Sequence, residues 1–261
     1  MNMKSLKAQF IGAIAMVLVS AIAMGSSTYA WFSMNSKVTA KGMEVKATSD
    51  ATLLISDAAS GTFSDSVTIA STSTSMKPAT SYDGSNFAIL DSTKAKVTQT
   101  TAYTAVMNDG SALTAAGLKT ESTNSNSTYW KDTTVYLKYS DASAGSVALY
   151  VSEIRVAQNA ADSTKTMLNA VRVSVTYGGA TFVFNPNSGT ADTVGKYANS
   201  AWTLSAPSYT TYATTIGNVS GTAAPAVIRI WFEGQDTACF TDNVTTENLT
   251  VEVDFTTDQP T

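Results

Sequence analysis

Few of the groups in this sequence that could bind a cation or attack a substrate are spaced for the task. Glu233, Asp236 and Asp242 crowd around the single cysteine, Cys239. Three such carboxylates, completed by a backbone carbonyl, are a donor set for calcium. The same residues serve as an ordinary polar loop, and that is the preferred reading. Asp57, Asp65, Asp83, Asp91 and Asp109 are scattered without the spacing of a calcium loop. Serines and threonines are plentiful, but the chain has no histidine. That removes Ser-His-Asp and Cys-His catalysis, His-x-x-x-His zinc sites and the usual general base near neutral pH. No Gly-rich phosphate loop and no Cys-x-x-Cys pair occurs. A lone cysteine cannot close an intramolecular disulfide, so the core must hold without covalent staples. Cys239 is expected as a buried, inert thiol, with pairing between two chains as the alternative. No catalytic, cofactor-binding or metal residue is assigned, calcium being the one cofactor left open, and the chain is not expected to be an enzyme.

Charge points the same way. Charged residues are 14% of the chain, its formal charge is −4, and its three arginines, Arg155, Arg172 and Arg229, do not cluster in sequence. A mildly acidic chain has no electrostatic footprint for nucleic acid. Aromatic residues between Tyr197 and Tyr212 offer faces for sugar rings. More often such side chains fill a satellite core beneath a long loop.

The elements that must carry these residues read as strands. Leu249, Val251, Val253 and Phe255 alternate with polar residues, as do Val171, Val173, Val175 and Tyr177, and Val135, Leu137 and Tyr139. Each predicts an antiparallel strand with one face buried and one wet. The denser run from Ala226 to Phe232 predicts a central strand covered on both faces. Shorter candidates are 52–56, 66–70, 87–91, 96–107, 147–157 and 180–184. The paired glycines of Tyr177-Gly-Gly-Ala180 signal a hairpin. One or two helical turns are expected within 162–170 and little other helix. Segments 71–85, 119–128 and 185–224 read as loops, the last a long insertion with room for an extra hairpin. The expected fold is all-β: an antiparallel sandwich of jelly-roll or immunoglobulin-like type, preceded by an N-terminal apolar signal helix.

At the N-terminus, Lys4 and Lys7 precede an apolar run from Phe10 to Met24, followed by small residues. This is the layout of an export signal at residues 1–30, too short for a typical membrane span. Thr28-Tyr29-Ala30 offers the cleavage site and Ala21-Ile22-Ala23 a second, with an uncleaved membrane anchor as the alternative. Cleavage after Ala30 leaves 231 residues and moves the formal charge to −6, since only Lys4 and Lys7 are lost. Next, Phe32, Met34, Val38 and Ala40 fall on even positions, whereas Met43, Val45 and Ala47 fall on odd ones. A strand that slips by one residue exchanges its faces, and Gly42 marks the break. Either a single edge strand bulges at Gly42, or residues 31–42 form a separate extended arm ahead of a sandwich domain at 43–261.

Ser27-Thr-Tyr-Ala-Trp-Phe-Ser33 with Val38-Thr-Ala-Lys-Gly-Met43 resembles the N-terminal region of the secreted TasA/camelysin-like proteins of Gram-positive bacteria, which a SipW-type signal peptidase processes. Val227-Ile-Arg-Ile-Trp-Phe-Glu-Gly-Gln-Asp-Thr-Ala-Cys239 is similar to a strand-plus-loop signature of clostridial relatives, and Ala170-Val-Arg-Val-Ser174 is a weaker match. The resemblance implies a secreted jelly-roll subunit that polymerises into matrix or biofilm fibres, outside the cell or on its surface. It implies that the arm, with Trp31, Phe32, Met34 and Val38 as anchors, adds as a donor strand to the next copy in a head-to-tail filament. The partners implied are signal peptidase and further copies of the chain, with no nucleic acid and with membrane contact only through an uncleaved leader. A protease role described for camelysin is not carried over, because a zinc site of that kind needs histidine. The other function weighed is a monomeric secreted adhesin that binds a glycan or host surface.

Overall fold

A computed structural model describes residues 39–47, 53–69, 76–98, 104–122, 128–141, 145–158, 167–187, 193–239 and 248–260. The signal region, its cleavage residues Thr28, Tyr29 and Ala30, and the anchors Trp31, Phe32, Met34 and Val38 lie outside them, as does Asp242. Among the described residues there is no α-helix, and so none long and apolar enough to cross a membrane. The protein is built of sixteen described strands and two single turns of 3-10 helix, Ala115–Gly117 and Met167–Ala170.

The strands are β1 (Thr39–Ala47), β2 (Leu53–Ser56), β3 (Ser66–Ile69), β4 (Phe87–Leu90), β5 (Ala95–Thr98), β6 (Thr104–Met107), β7 (Leu118–Glu121) and β8 (Trp130–Tyr139). They continue with β9 (Ser146–Gln158), β10 (Val171–Tyr177), β11 (Ala180–Phe184), β12 (Val194–Ala198), β13 (Ala201–Ser205), β14 (Thr215–Ser220), β15 (Ala224–Phe232) and β16 (Asn248–Thr256). Two five-stranded sheets dominate, ordered β14-β9-β16-β1-β3 and β11-β10-β15-β8-β2. Alternation explains why they pack. Val251, Val253 and Phe255 from the first sheet meet Val171, Val173, Val175, Ile228 and Ile230 from the second in one core. Side chains two apart share a strand face, so each sheet supplies half of that core.

All pairings in these sheets are antiparallel except one: β1 runs parallel to β16 and antiparallel to β3. Residues from Thr39 to Ala47 therefore lie in the chain's own sheet, paired with β16, and Met43 to Lys46 pair with β3 as well. The register of β1 on β16 shifts between Ala40, opposite Leu249, and Met43, opposite Val251. Lys41 and Gly42 together stand opposite Thr250. One extra residue of this kind is a bulge, and it absorbs the change of phase seen in the sequence.

The run at 96–107, expected as one strand, is two. β5 and β6 pair antiparallel, with Val97 opposite Ala105. The polar stretch Thr98-Gln-Thr-Thr101 interrupts the apolar pattern and separates them. Within 185–224, β12 and β13 make a hairpin and β14 joins β9 at the edge of the first sheet. The turn between β12 and β13 holds Asn199 and Ser200 at positive φ, 50° and 61°. That is the twist a two-residue hairpin turn requires.

β10 departs from the expectation of one wet face. Val171, Val173, Val175 and Tyr177 enter the main core, yet Arg172 and Ser174 on the other face are also buried. An outer tier covers that face. Ala79, Phe87 and Ile89 pack on Trp130, Val183 and Trp231, which project from the far side of the second sheet. Phe87 stacks on Trp130 with centroids 4.3 Å apart and meets Trp231 edge-on at 5.4 Å. β4 pairs with β7 in this tier, and Leu90, Ala95 and Val97 begin a third small core beyond it.

Candidate functional site

The densest polar chemistry sits where the outer tier meets the second sheet. β15 ends at Phe232, and the chain turns through Glu233, Asp236 and Cys239 immediately afterwards. Backbone bonds hold this turn down: Glu233 N donates to Ala170 O at 2.7 Å, Asp236 N to Glu233 O at 3.0 Å, and Cys239 N to Asp236 O at 2.9 Å. From the tier, Ala79 N donates to Phe232 O at 3.1 Å and Gly234 N to Ala79 O at 2.9 Å. The two segments form a short parallel seam, with Ala79 bridged to Glu233.

Arg172 lies beneath this turn, fully buried. Its Nη2 donates to Asp236 Oδ2 at 2.6 Å, its Nε to the Tyr209 hydroxyl at 2.7 Å, and its Nη1 to the carbonyls of Asn169 and Val171 at 2.8 and 3.1 Å. Burial works against the guanidinium charge, but Tyr209 and Asp236 more than offset it and hold the Arg172 pKa above its ordinary value. Asp236 is satisfied on its other oxygen, where Oδ1 accepts from Ala238 N at 2.8 Å.

Glu233 is 0% exposed. Its Oε2 accepts from Ser81 N at 3.2 Å and from Trp231 Nε1 at 3.3 Å, and its Oε1 accepts from Gln235 N at 3.2 Å. Burial pushes its carboxyl up to about 7, despite the opposing pull of the Thr80 hydrogen bond, Arg172 and the two amides. Burial and the two carboxylates also push the Cys239 thiol well above its ordinary range. A reactive cysteine needs the opposite environment, exposed and electropositive.

The arrangement answers the calcium reading of Glu233 and Asp236. Their oxygens already accept from amides, an indole and a guanidinium, and Asp236 holds Arg172 as its cation. No group of three histidines, cysteines or carboxylates that could hold a metal ion occurs among the described residues. The alternation of β10 predicts Arg172 on a solvent face. Only the tier that buries it reveals its role, and no local pattern encodes that tier.

The remaining arginines are also committed to acids. Arg229 clasps Asp132 through Nε and Nη2 at 2.6 and 2.8 Å, with its guanidinium over the Trp130 ring. On the outer face of the first sheet, Arg155 binds Glu252 and Asp254 at 2.9 and 2.7 Å and also Glu153.

The aromatic residues of 197–212 divide by position. Tyr209 joins the second core, and Tyr212 stacks on Phe184 at 5.6 Å while its hydroxyl accepts from Ile154 N at 3.3 Å. Tyr197 and Trp202 form a cross-strand pair on the β12–β13 hairpin, centroids 5.1 Å apart. Tyr197 is 37% exposed, and the Trp202 indole donates to Thr120 Oγ1 at 3.1 Å. The chain matches no protein-family model, no curated protein and no solved structure.

Proposed function

We propose that this chain is an exported structural subunit of an extracellular or cell-surface fibre, of the kind that builds a biofilm matrix. Assembly proceeds by addition of its N-terminal segment to the sheet of a neighbouring copy. The observation that carries the reading is the edge of the first sheet. β14 pairs with β9 alone and β3 with β1 alone among the described residues. An added strand finds backbone donors and acceptors at such an edge, with alternate side chains supplying specificity. The edges of the second sheet carry cover from their own chain: Ile55 of β2 exchanges bonds with Ser64, and Thr210 N donates to Val183 O of β11 at 2.7 Å. Because Thr39 onward belongs to the chain's own sheet, the donated residues are narrowed to 31–38, with Trp31, Phe32, Met34 and Val38 as anchors.

Successive strands of the sandwich change sheets, from β1 to β2 to β3 to β8 to β9 to β10. That alternation favours jelly-roll over immunoglobulin-like topology. A head-to-tail contact of this form does not close, so it yields filaments. The test compares two processed forms by negative-stain microscopy, one beginning at Trp31 and one at Thr39. The first should form ordered filaments and the second only folded monomer, since β1 stays whole. Filaments from the shorter form would overturn strand donation.

The partly exposed Tyr197–Trp202 pair favours a second reading, a glycan-binding surface module. A glycan array on which Tyr197→Ala loses a specific signal would support it, and an empty array would remove it.

A further inference from the structure

β9 is the longest of the described strands, and its two sides are covered unequally. β16 pairs with it from Tyr150 to Gln158, whereas β14 pairs with it only from Ser146 to Tyr150. Among the described residues, the half of β9 beyond Tyr150 therefore has a strand on one side only. Ahead of Thr215 the chain leaves the line of β14. Thr214 N donates to Thr211 O at 3.0 Å and the two hydroxyls meet at 3.0 Å, so residues 211–214 make a turn. Before that turn the chain lies against the second sheet, where Thr210 N donates to Val183 O of β11 at 2.7 Å and the Tyr209 hydroxyl accepts from Arg172 Nε. The turn lays Tyr212 on the first sheet as well: its ring stacks on Phe184, and its hydroxyl accepts from Ile154 N at 3.3 Å.

A strand amide points toward one neighbouring strand or the other. Tyr212 stands just ahead of β14, so the Ile154 amide faces the open side. Two further features discourage pairing there. Ser152 is the extra residue of a bulge, since Asp254 lies opposite Glu153 and Phe255 opposite Val151. Glu153 and Arg155, bonded to each other through Arg155 Nη1, place charge on either side of Ile154. Bulges and charged side chains both blunt an edge. Yet Glu153-Ile154-Arg155 is complementary to itself. Laid antiparallel on another β9 with Ile154 opposite Ile154, it sets each Glu153 across from an Arg155. The two Ile154 residues then exchange amide and carbonyl, and the contact obeys a two-fold axis. At the centre of that pairing stands the Tyr212 hydroxyl.

We propose that residues 209–214 are an edge guard: the Tyr212 hydroxyl occupies the outward amide of Ile154 and so keeps a second copy of the chain from pairing β9 against β9. The anchors of the guard lie on both sheets, through Arg172, Val183 and Phe184 on the second and Ile154 on the first. One hydroxyl does there what a strand would do with a bond at every second residue, so its removal reopens the edge while the ring keeps the core closed. The guard concerns β9 alone and stands whether or not residues 31–38 are donated elsewhere on the sheet. A two-fold contact of this kind closes on itself, so it yields a dimer and not a filament.

Sedimentation velocity and native-state hydrogen exchange, each over a range of concentrations, compare the processed chain with its Tyr212→Phe variant. The substitution keeps the ring on Phe184 and deletes the acceptor. In dilute solution the Ile154 amide should exchange up to about tenfold faster in the variant, the effect of one lost hydrogen bond. As concentration rises, the variant should gain a dimer that the unaltered chain lacks, with protection returning at residues 153–158. A filament sediments far faster than a dimer, so fibre assembly does not obscure the result. Adding Glu153→Arg, which sets arginine opposite arginine, should remove the dimer, whereas Glu153→Arg alone should sediment as the unaltered chain does. Absence of the dimer, protection gained at another edge, or a dimer that survives Glu153→Arg overturns the guard. Loss of the fold in Tyr212→Phe overturns it too, because the hydroxyl would then be a prop of the sandwich and not a cover for its edge.

Discussion

Replacing Arg172 with methionine probes the polar cluster most severely. The change keeps an unbranched stem and removes the guanidinium and its charge, leaving Asp236 buried without its cation. Tyr209 loses its 2.7 Å donor, and the carbonyls of Asn169 and Val171 lose theirs. Removing one partner of a buried pair costs about 3–5 kcal/mol, chiefly because the remaining charge stays dry. At a urea m-value of about 3 kcal/mol/M, the unfolding midpoint should fall by more than about 1 M. The loss should shrink on acidification, because Glu233 takes up a proton more readily without the guanidinium. Urea unfolding at pH 5 and pH 8 measures both effects. A shift below about 0.3 M at pH 8, equivalent to about 1 kcal/mol, would refute the claim that the pair holds this turn.

Val253→Asp places an unpaired charge in the main core at a position 0% exposed, and should abolish folding; a normal melting curve would contradict the placement. Cys239→Ser buries a hydroxyl in place of a thiol and should cost about 1–3 kcal/mol without altering assembly under oxidising or reducing conditions. A covalent dimer band that the substitution removes would show the thiol to be reactive. Gly217 sits at φ +151°, and a Cβ there would come 2.8 Å from Tyr177 Cδ1. Gly217→Ala should therefore destabilise β14 by about 1–3 kcal/mol, visible as a lower melting temperature. Tyr177→Leu in the same background should restore part of the loss if that contact is the cause.

Where apolar residues alternate or crowd along a strand, its sequence states its limits. The alternation through Val171 to Tyr177, the short candidate at 180–184 and the glycine pair between them predicted β10 and β11 to the residue. The density of Ala226 to Phe232 likewise marked the centre of a sheet, because Trp231 is buried on one face while Ile228 and Ile230 are buried on the other. The outer tier was not legible. Its strands are four residues long, too short for periodicity, and it turns polar positions such as Arg172 and Thr80 into buried ones. The parallel pairing of β1 with β16 joins opposite ends of the chain, and no local signal encodes it. Glu233 and Asp236 were legible as a cluster with Cys239, but not as one closed around an arginine from sixty residues earlier.

The donation of residues 31–38 to another copy is most directly measured by cross-linking an equal mixture of nitrogen-14 and nitrogen-15 protein after assembly. Lys37 is the reactive side chain within that segment. The account predicts links from Lys37 to sandwich lysines that join light and heavy chains in the same proportion as chance pairing of different molecules. Links confined to peptides of a single isotope would mean that the segment pairs within its own chain, and the fibre account would fall.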